Sequence, residues 1–379
     1  MHDSSFKVIY LKGVFFMFKI KKQIYSILTI SGLSSFQIAG ASWVALLAAR
    51  GFSLIEIGLA ESCFHLVSFL CEVPSGVIAD VFGRKRSMII SQCMFVLSAF
   101  LMIFSKGIVG VCIAIGIDAL GYNFSSGTRE ALAYDSLKLG GYENRYLEFS
   151  SMELMIYRIG NASAIICAGL ALTIGYRYAY IIDVILGLFC LYFSFQLHEV
   201  ILEEKQFEGT ITYRLKRCFK ESFYFLTHNP KEISLMLWNS LVGAIAVLTA
   251  FFLQSNLTSA GISNVLLGPA LFIVSMGGVI GAKLVTKTAA WNYRKLSMIC
   301  VCGILLGVYC GSTSAPLFMC LGGFVAAMCD DILQVRTDAI LNERFPSSQR
   351  ATLVSVSSLC FSVVMIILSP LAGWFFSII

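Results

Sequence analysis

Charge is scarce in this chain. Of 379 residues only 13% are charged, while 58% are hydrophobic. Soluble domains carry about 25% charged residues, so a soluble fold has nowhere to hide this much apolar surface. Histidine is scarce too. His2, His65, His198 and His228 are too scattered for a metal site. Thirteen cysteines are present, but no C-x-x-C pair occurs. They read as small apolar residues with free thiols. No G-x-x-x-x-G-K-S/T loop occurs, which excludes an encoded ATP-hydrolysing domain. H-E-x-x-H and G-x-S-x-G are also missing, so enzyme chemistry has no motif to rest on and no cofactor is expected. The net charge of +6 is not a nucleic-acid footprint, because the cations flank apolar runs instead of forming a patch.

What is present is a series of long apolar runs. Crossing ~30 Å of hydrocarbon at ~1.5 Å per residue takes about 20 residues. Six runs reach or approach that length in the first half: Ile24–Ala49, Ile55–Ala79, Ser87–Phe104, Ile108–Ser126, Leu147–Ile174 and Tyr178–Leu197. A polar segment, 198–231, follows. Five more runs come after it: Ile233–Leu253, Val265–Val285, Leu296–Cys310, Ala315–Val335 and Ala351–Ile379, the last with a kink expected at Pro370. The expected fold is therefore all-α and polytopic. It has a cytoplasmic N-terminus (1–23), an N-terminal six-helix bundle (24–197), a cytoplasmic linker (198–231) and a C-terminal bundle of five spans (232–379). Lys19, Lys21 and Lys22 precede the first run, which is too long for the apolar region of a secretory signal. Met17 is a candidate true start.

The cations test this threading. With the N-terminus inside, only Arg50, Lys106 and Arg177 fall in outer loops, and Arg158 falls within a span; every other Lys and Arg is on the inner side. Such asymmetry fixes orientation under the positive-inside rule. The halves also echo each other. Gly76-Val-Ile recurs as Gly278-Val-Ile280, and at the same offset Lys85 meets Lys287. Both copies leave an even-numbered span on the inner face, as a parallel repeat requires. Ala282 and Thr286 replace Asp80 and Arg84 in the second copy.

The stretch Glu72-Val-Pro-Ser-Gly-Val-Ile-Ala-Asp-Val-Phe-Gly-Arg-Lys-Arg86 carries the strongest local signal. Gly76, Asp80, Gly83, Arg84 and Lys85 resemble the G-x-x-x-D-x-x-G-R-K/R signature of the major facilitator superfamily, found between its second and third helices. The Glu72 lead-in resembles a bacterial, drug-efflux-like branch. So do Arg129-Glu-Ala-Leu-Ala-Tyr-Asp-Ser136, Phe251-Phe-Leu-Gln254 and Asn342-Glu-Arg-Phe-Pro-Ser-Ser-Gln-Arg-Ala-Thr352. The resemblance implies two six-helix bundles around a central cavity, opened alternately to either side. It implies cavity walls from the first, fourth, seventh and tenth helices, with the third, sixth, ninth and twelfth outermost. It also implies that the signature loop latches the bundles and favours the outward-open state. Three features depart from the pattern. Val81 stands where a cation is usual. The fifth span has Gly160 and Gly169 without the Gly-Pro-rich pattern of drug–proton antiporters. A twelfth span is not expected from the apolar runs.

Ionisable residues inside apolar runs cost several kcal/mol to bury and mark candidate sites. Asp118 in the fourth span and Arg158 in the fifth lie at similar depth, roughly 15 Å from a span end. They are expected to pair, either as a fixed ion pair or as one that loosens when Asp118 takes a proton or substrate. Asp330, Asp331 and Gln334 lie on the tenth span. Asp330 and Gln334 share a face, and Asp331 points about 100° away. The group is either a proton carrier or a solvated cluster beside Arg336. Glu61 and His65 share a face of the second span; His65 reads as a packing residue before a proton relay. Gln37, Asn123, Trp238 and Asn239 lie on cavity-type helices and are candidate substrate contacts, or belt anchors in the case of Trp238.

The expected function is secondary active transport by alternating access in a bacterial plasma membrane, by a monomer unless a partner supplies a missing helix. Proton-coupled efflux of a small amphipathic compound leads. Proton-coupled uptake of a small polar solute, or a truncated non-transporting membrane protein, are the alternatives. The implied partners are a small-molecule substrate, an ion gradient and the lipid bilayer.

Overall fold

A computed structural model describes residues 20–200, 213, 216, 220, 224, 227–288, 290–344 and 350–378, without the side chains of Asp80, Asn342 and 350–354. The candidate start at Met17 and most of the 198–231 linker lie outside the described residues. So do the side chain of Asp80 and part of the Asn342–Thr352 motif.

The described apolar runs are helical, the first and fifth with breaks. Hydrocarbon offers no hydrogen bonds, so a spanning segment must satisfy its own backbone. The first run is built from α1 (20–35), α2 (Ile38–Ala41) and α3 (Trp43–Ala49). Then come α4 (Leu54–Phe82), α5 (Arg84–Phe104), α6 (Ile108–Ser125) and the short polar α7 (Thr128–Leu139). The bent pair α8 (Tyr146–Ile166) and α9 (Ala168–Ile174) precedes α10 (Tyr176–Gln196). The second half holds α11 (Pro230–Ser259), α12 (Asn264–Leu284), α13 (Tyr293–Gly311), α14 (Pro316–Arg344) and α15 (Arg350–Ile378). Among the described residues, nine helices are long and apolar enough to cross a membrane. A tenth is added if Glu143–Ile166 and Ala168–Ile174, bent by 45°, form one span.

Helix ends follow local chemistry. Ser53 and Glu56 form a capping box at the start of α4: Glu56 N donates to Ser53 Oγ at 3.3 Å, and Ser53 N donates to Glu56 Oε2 at 2.8 Å. Gly83 ends α4 and starts α5 with φ of 96°, a left-handed conformation that glycine adopts without strain. A Cβ there would lie 2.5 Å from Glu199 Oε2. The Glu199 carboxylate accepts from the N–H groups of Arg84 and Lys85 at 2.8 and 3.0 Å. It thereby caps α5 from the far end of the same half.

Helices α4, α5, α6 and α10 pack on one another, and α11 to α15 do likewise. The two groups meet along α4–α15 and where α8 and α9 cross α12. Glycines let the backbones touch there. A Cβ on Gly58 would collide with Ser369 O, and one on Gly373 with Leu54 O. On the other seam Gly169 faces Asn264 O and Gly268 faces Ile166 O, again with no room for a Cβ. All four contacts lie at the end of the bundle that carries Arg50.

Pro370 sits inside α15 without breaking it. Its missing N–H leaves the Ile366 carbonyl without a helical partner. The Ser62 hydroxyl of α4 donates to that carbonyl at 2.8 Å. A proline on one half is thus satisfied by a hydroxyl on the other.

Candidate substrate cavity

A cavity of about 410 Å³ lies within the first half of the molecule. It is walled by α1 to α6, α8 and α10 and, among the described residues of the second half, only by Phe251 of α11. Three carboxylates line it: Glu61, Asp118 and Asp183. Aromatic rings supply much of the remaining wall. Trp43 and Phe251 meet edge to face with centroids 5.6 Å apart, a preferred aromatic geometry. No Lys or Arg stands among the described lining residues.

Each carboxylate is held differently. Asp183 on α10 is 4% exposed. It accepts the N–H groups of Ile38 at 2.8 Å, Ala39 at 3.0 Å and Gly40 at 3.0 Å. Those amides begin α2, where the first run is broken. Glu61 on α4 accepts from His65 one turn away, Oε1 to Nε2 3.2 Å. The other ring nitrogen of His65 lies 3.4 Å from Ser362 Oγ on α15. The imidazole is packed edge-on against Phe64 and Phe361. Asp118 on α6 lies beside Ser98 of α5 and within the field of Glu61.

The residues singled out from the sequence are not gathered in one place. Gln37 and Asp118 line the cavity. The expected Asp118–Arg158 pair does not form. Arg158 is exposed on α8, facing away from the cavity that Asp118 lines. Residue counting gives depth along a helix, but not the direction a side chain faces about the helix axis. Asp331 packs on α12, where a Cβ on Gly278 would lie 2.5 Å from its Oδ2. Asp330 and Gln334 face α11 at Gly243, with 3.4 and 3.7 Å left for a Cβ. Asn123 bridges α6 to α4 through Ser68: its Nδ2 donates to the Ser68 carbonyl and its Oδ1 accepts from the hydroxyl, both at 2.8 Å. Trp238 Nε1 donates to Ser297 Oγ of α13 at 2.8 Å, so its polar edge is directed away from the cavity. Asn239, beside it on α11, is half-buried and does not line the cavity.

In the signature loop, Arg84 pairs with Asp135 of α7 and donates to Ala131 O at 2.6 Å. Arg129 pairs with Glu153 at 2.5 Å. These contacts stay within the first half. Gly76 has nothing within 4 Å of a Cβ position, in contrast to the crowded Gly278.

The sequence assigns Asp183 no role. It stands on the sixth span, a helix the resemblance places outermost. One signal is available: a lone carboxylate in an apolar run needs a partner, and none is near it in sequence. Phe251 reads from the sequence only as part of a motif.

The chain matches the model of the Major Facilitator Superfamily over residues 24–308. It therefore belongs to that superfamily and is a secondary transporter, not an enzyme. It is similar to the uncharacterized MFS-type transporter YxaM of Bacillus subtilis (strain 168), 23% identical over 343 residues, covering 88% of this chain and 84% of that one. Its fold is similar to that of a mutant form of the nucleoside transporter NupG, with a TM-score of 0.75 at 15% identity over 95% and 96% of the two chains. It is also similar to a D-xylose-proton symporter, with a TM-score of 0.62 at 15% identity over 96% and 89%. At such identity these structures establish the fold alone.

Proposed function

We infer that the chain drives proton-coupled efflux of a small amphipathic compound, by alternating access across a bacterial plasma membrane with the Arg84 end in the cytoplasm. The observation that carries this is the cavity itself. Carboxylates and aromatic rings wall it, and no cation does among the described residues. Such a site favours a flat apolar body bearing a positive charge, through ring stacking and cation–π attraction. It disfavours an anion. Asp118 is the carboxylate best suited to exchange a proton for that charge, because Asp183 is occupied by three amides and Glu61 by His65. Orientation rests on the cation asymmetry of the loops. The glycine seams at the Arg50 end then close the outer side.

Uptake of a small polar solute is the second reading. One observation favours it. A vestibule of about 950 Å³ at the Arg50 end is lined by Ser53, Ser255, Thr258, Ser312, Asn256 and Asn264 together with apolar residues, and by no charged group among the described residues. Hydroxyls of this kind suit a neutral polar solute.

Accumulation of ethidium and of labelled uridine and xylose, in cells with and without the chain and with and without an uncoupler, separates the two. Efflux predicts lower ethidium in expressing cells, restored by the uncoupler. Higher uridine or xylose that the uncoupler abolishes would replace efflux with uptake.

A further inference from the structure

The first run is broken twice, and each break is closed by a side chain from elsewhere in the fold. Nothing local forces the breaks. The segment Leu33-Ser-Ser-Phe-Gln-Ile-Ala-Gly-Ala-Ser-Trp43 has no proline, the usual cause of a sharp break. Ser34 and Ser35 donate back to Ser31 O and Gly32 O at 3.2 and 2.9 Å, which loosens the end of α1. That alone leaves the amides of 38–40 unpaired, and an unpaired amide within a membrane is costly. Asp183 takes all three.

The second break, at Ser42, leaves other groups open. Gln254 of α11 closes them: its Nε2 donates to Ala41 O at 3.3 Å, and its Oε1 accepts from Ala45 N at 3.4 Å. Gln254 is 8% exposed. Asp183 belongs to the same half as the first run and Gln254 to the opposite one. Between the two clamps lie Gly40 and Ala41, with Gln37 and Trp43 at their edges, and all four line the cavity.

We propose that Asp183 and Gln254 are positioning residues that hold the first run in its doubly broken form and so set the geometry of the cavity wall at Gln37 and Trp43. The inference rests on the cavity being the substrate site only for its functional consequence; the clamps themselves stand on hydrogen bonds. The two clamps also differ in kind. The Asp183 clamp is internal to one half and persists however the halves move. The Gln254 clamp exists only while α11 lies against α3. Parting the halves at the Arg50 end releases Ala41 O and Ala45 N, so the wall at Trp43 changes as the transporter changes state.

Hydrogen exchange on the purified full chain in detergent tests this without a substrate. In Asp183→Ala the amides of residues 38–40 are expected to exchange at least about tenfold faster, the effect of losing one charge-assisted hydrogen bond. The Ala45 amide and the α13 amides should not change. In Gln254→Ala the pattern reverses: Ala45 speeds up and 38–40 stay protected. Asp183→Asn keeps one acceptor oxygen and should recover part of the protection; it also carries the test if the alanine variant fails to fold. A second readout is Trp43 fluorescence with Trp238, Trp291 and Trp374 changed to Phe. Acrylamide quenching of Trp43 should change at least about twofold in both clamp variants, because quenching follows the local exposure that the clamps set. Unchanged protection at 38–40 in Asp183→Ala, or a loss of protection that extends equally to α13, overturns the clamps. Altered protection with unchanged Trp43 quenching overturns their positioning of the wall.

Discussion

The first and seventh spans occupy matching places in the two halves, yet one is broken and the other is not. The offset that relates Gly76 to Gly278 carries Gln37 onto Asn239. Around Gln37 the chain runs as three short helices. Around Asn239 it runs as α11, one helix of 30 residues. Both stretches are apolar and free of internal proline; the first holds more serine and glycine, which loosens it but does not by itself pair the amides a break exposes. The difference lies in what is packed alongside. Asp183 from α10 and Gln254 from α11 supply acceptors and a donor to the breaks of the first run. In α11 the backbone satisfies itself, and its side chains, Gln254 among them, are free to serve other elements. A spanning helix breaks where a neighbour replaces the hydrogen bonds it gives up.

Proline offers the sharpest way to break this comparison. Leu248→Pro in α11 removes a helical hydrogen bond and clashes with the preceding turn. It should cost about 3 kcal/mol or more and remove most folded protein, read as the monodisperse fraction in detergent. Ile38→Pro should be far milder. Ile38 is the first residue of α2, where proline fits, and Gln37 before it already has φ −97° and ψ 110°, the extended backbone that proline demands of its predecessor. The 2.8 Å bond to Asp183 is lost, about 1.5 kcal/mol, together with part of the packing of the buried Ile38 side chain; Leu248→Pro loses buried packing as well, so the backbone still separates the two. Equal damage from both prolines would mean that the first run is in fact a continuous helix.

The carboxylates extend the comparison to the halves themselves. Asp118 lines the cavity, whereas Asp330 faces Gly243 outside it. Asp118→Asn should lower uncoupler-sensitive transport at least about tenfold, equivalent to about 1.4 kcal/mol in the barrier. Asp330→Asn should have the smaller effect. The reverse order would move proton exchange to the second half.

The smallest expected effect is at the seam. Ser62→Ala removes the donor to the Ile366 carbonyl and should cost about 1 kcal/mol of thermal stability. Adding Pro370→Ala restores an N–H one helical turn beyond Ile366 and should abolish that cost. A double mutant no better than Ser62→Ala would mean that the hydroxyl does not serve the proline gap.

Much of the fold was legible in the sequence. Hydropathy marked the apolar runs because lipid demands long uncharged helices, and Gly83 with Arg84 and Lys85 marked the loop between α4 and α5. Gln37 and Asp118 were readable as cavity residues from helix number and depth. The outward direction of Arg158 was not, because facing depends on rotation about each helix axis and on how the halves meet. Nor was the peripheral hydrogen bond of Trp238 to Ser297. Asp183 was hidden for a further reason: the amides it caps lie 143 to 145 residues away in the chain.

Hydropathy and one loop motif are enough to specify a bundle of membrane helices with the signature of its superfamily. That information is local, carried by runs of about 20 residues that must satisfy their own backbones in hydrocarbon. Where those helices break, which carboxylates share a cavity and which way Arg158 faces follow from packing alone. Each of those outcomes depends on contacts between segments far apart in the chain, and such pairings exist only once the helices have packed.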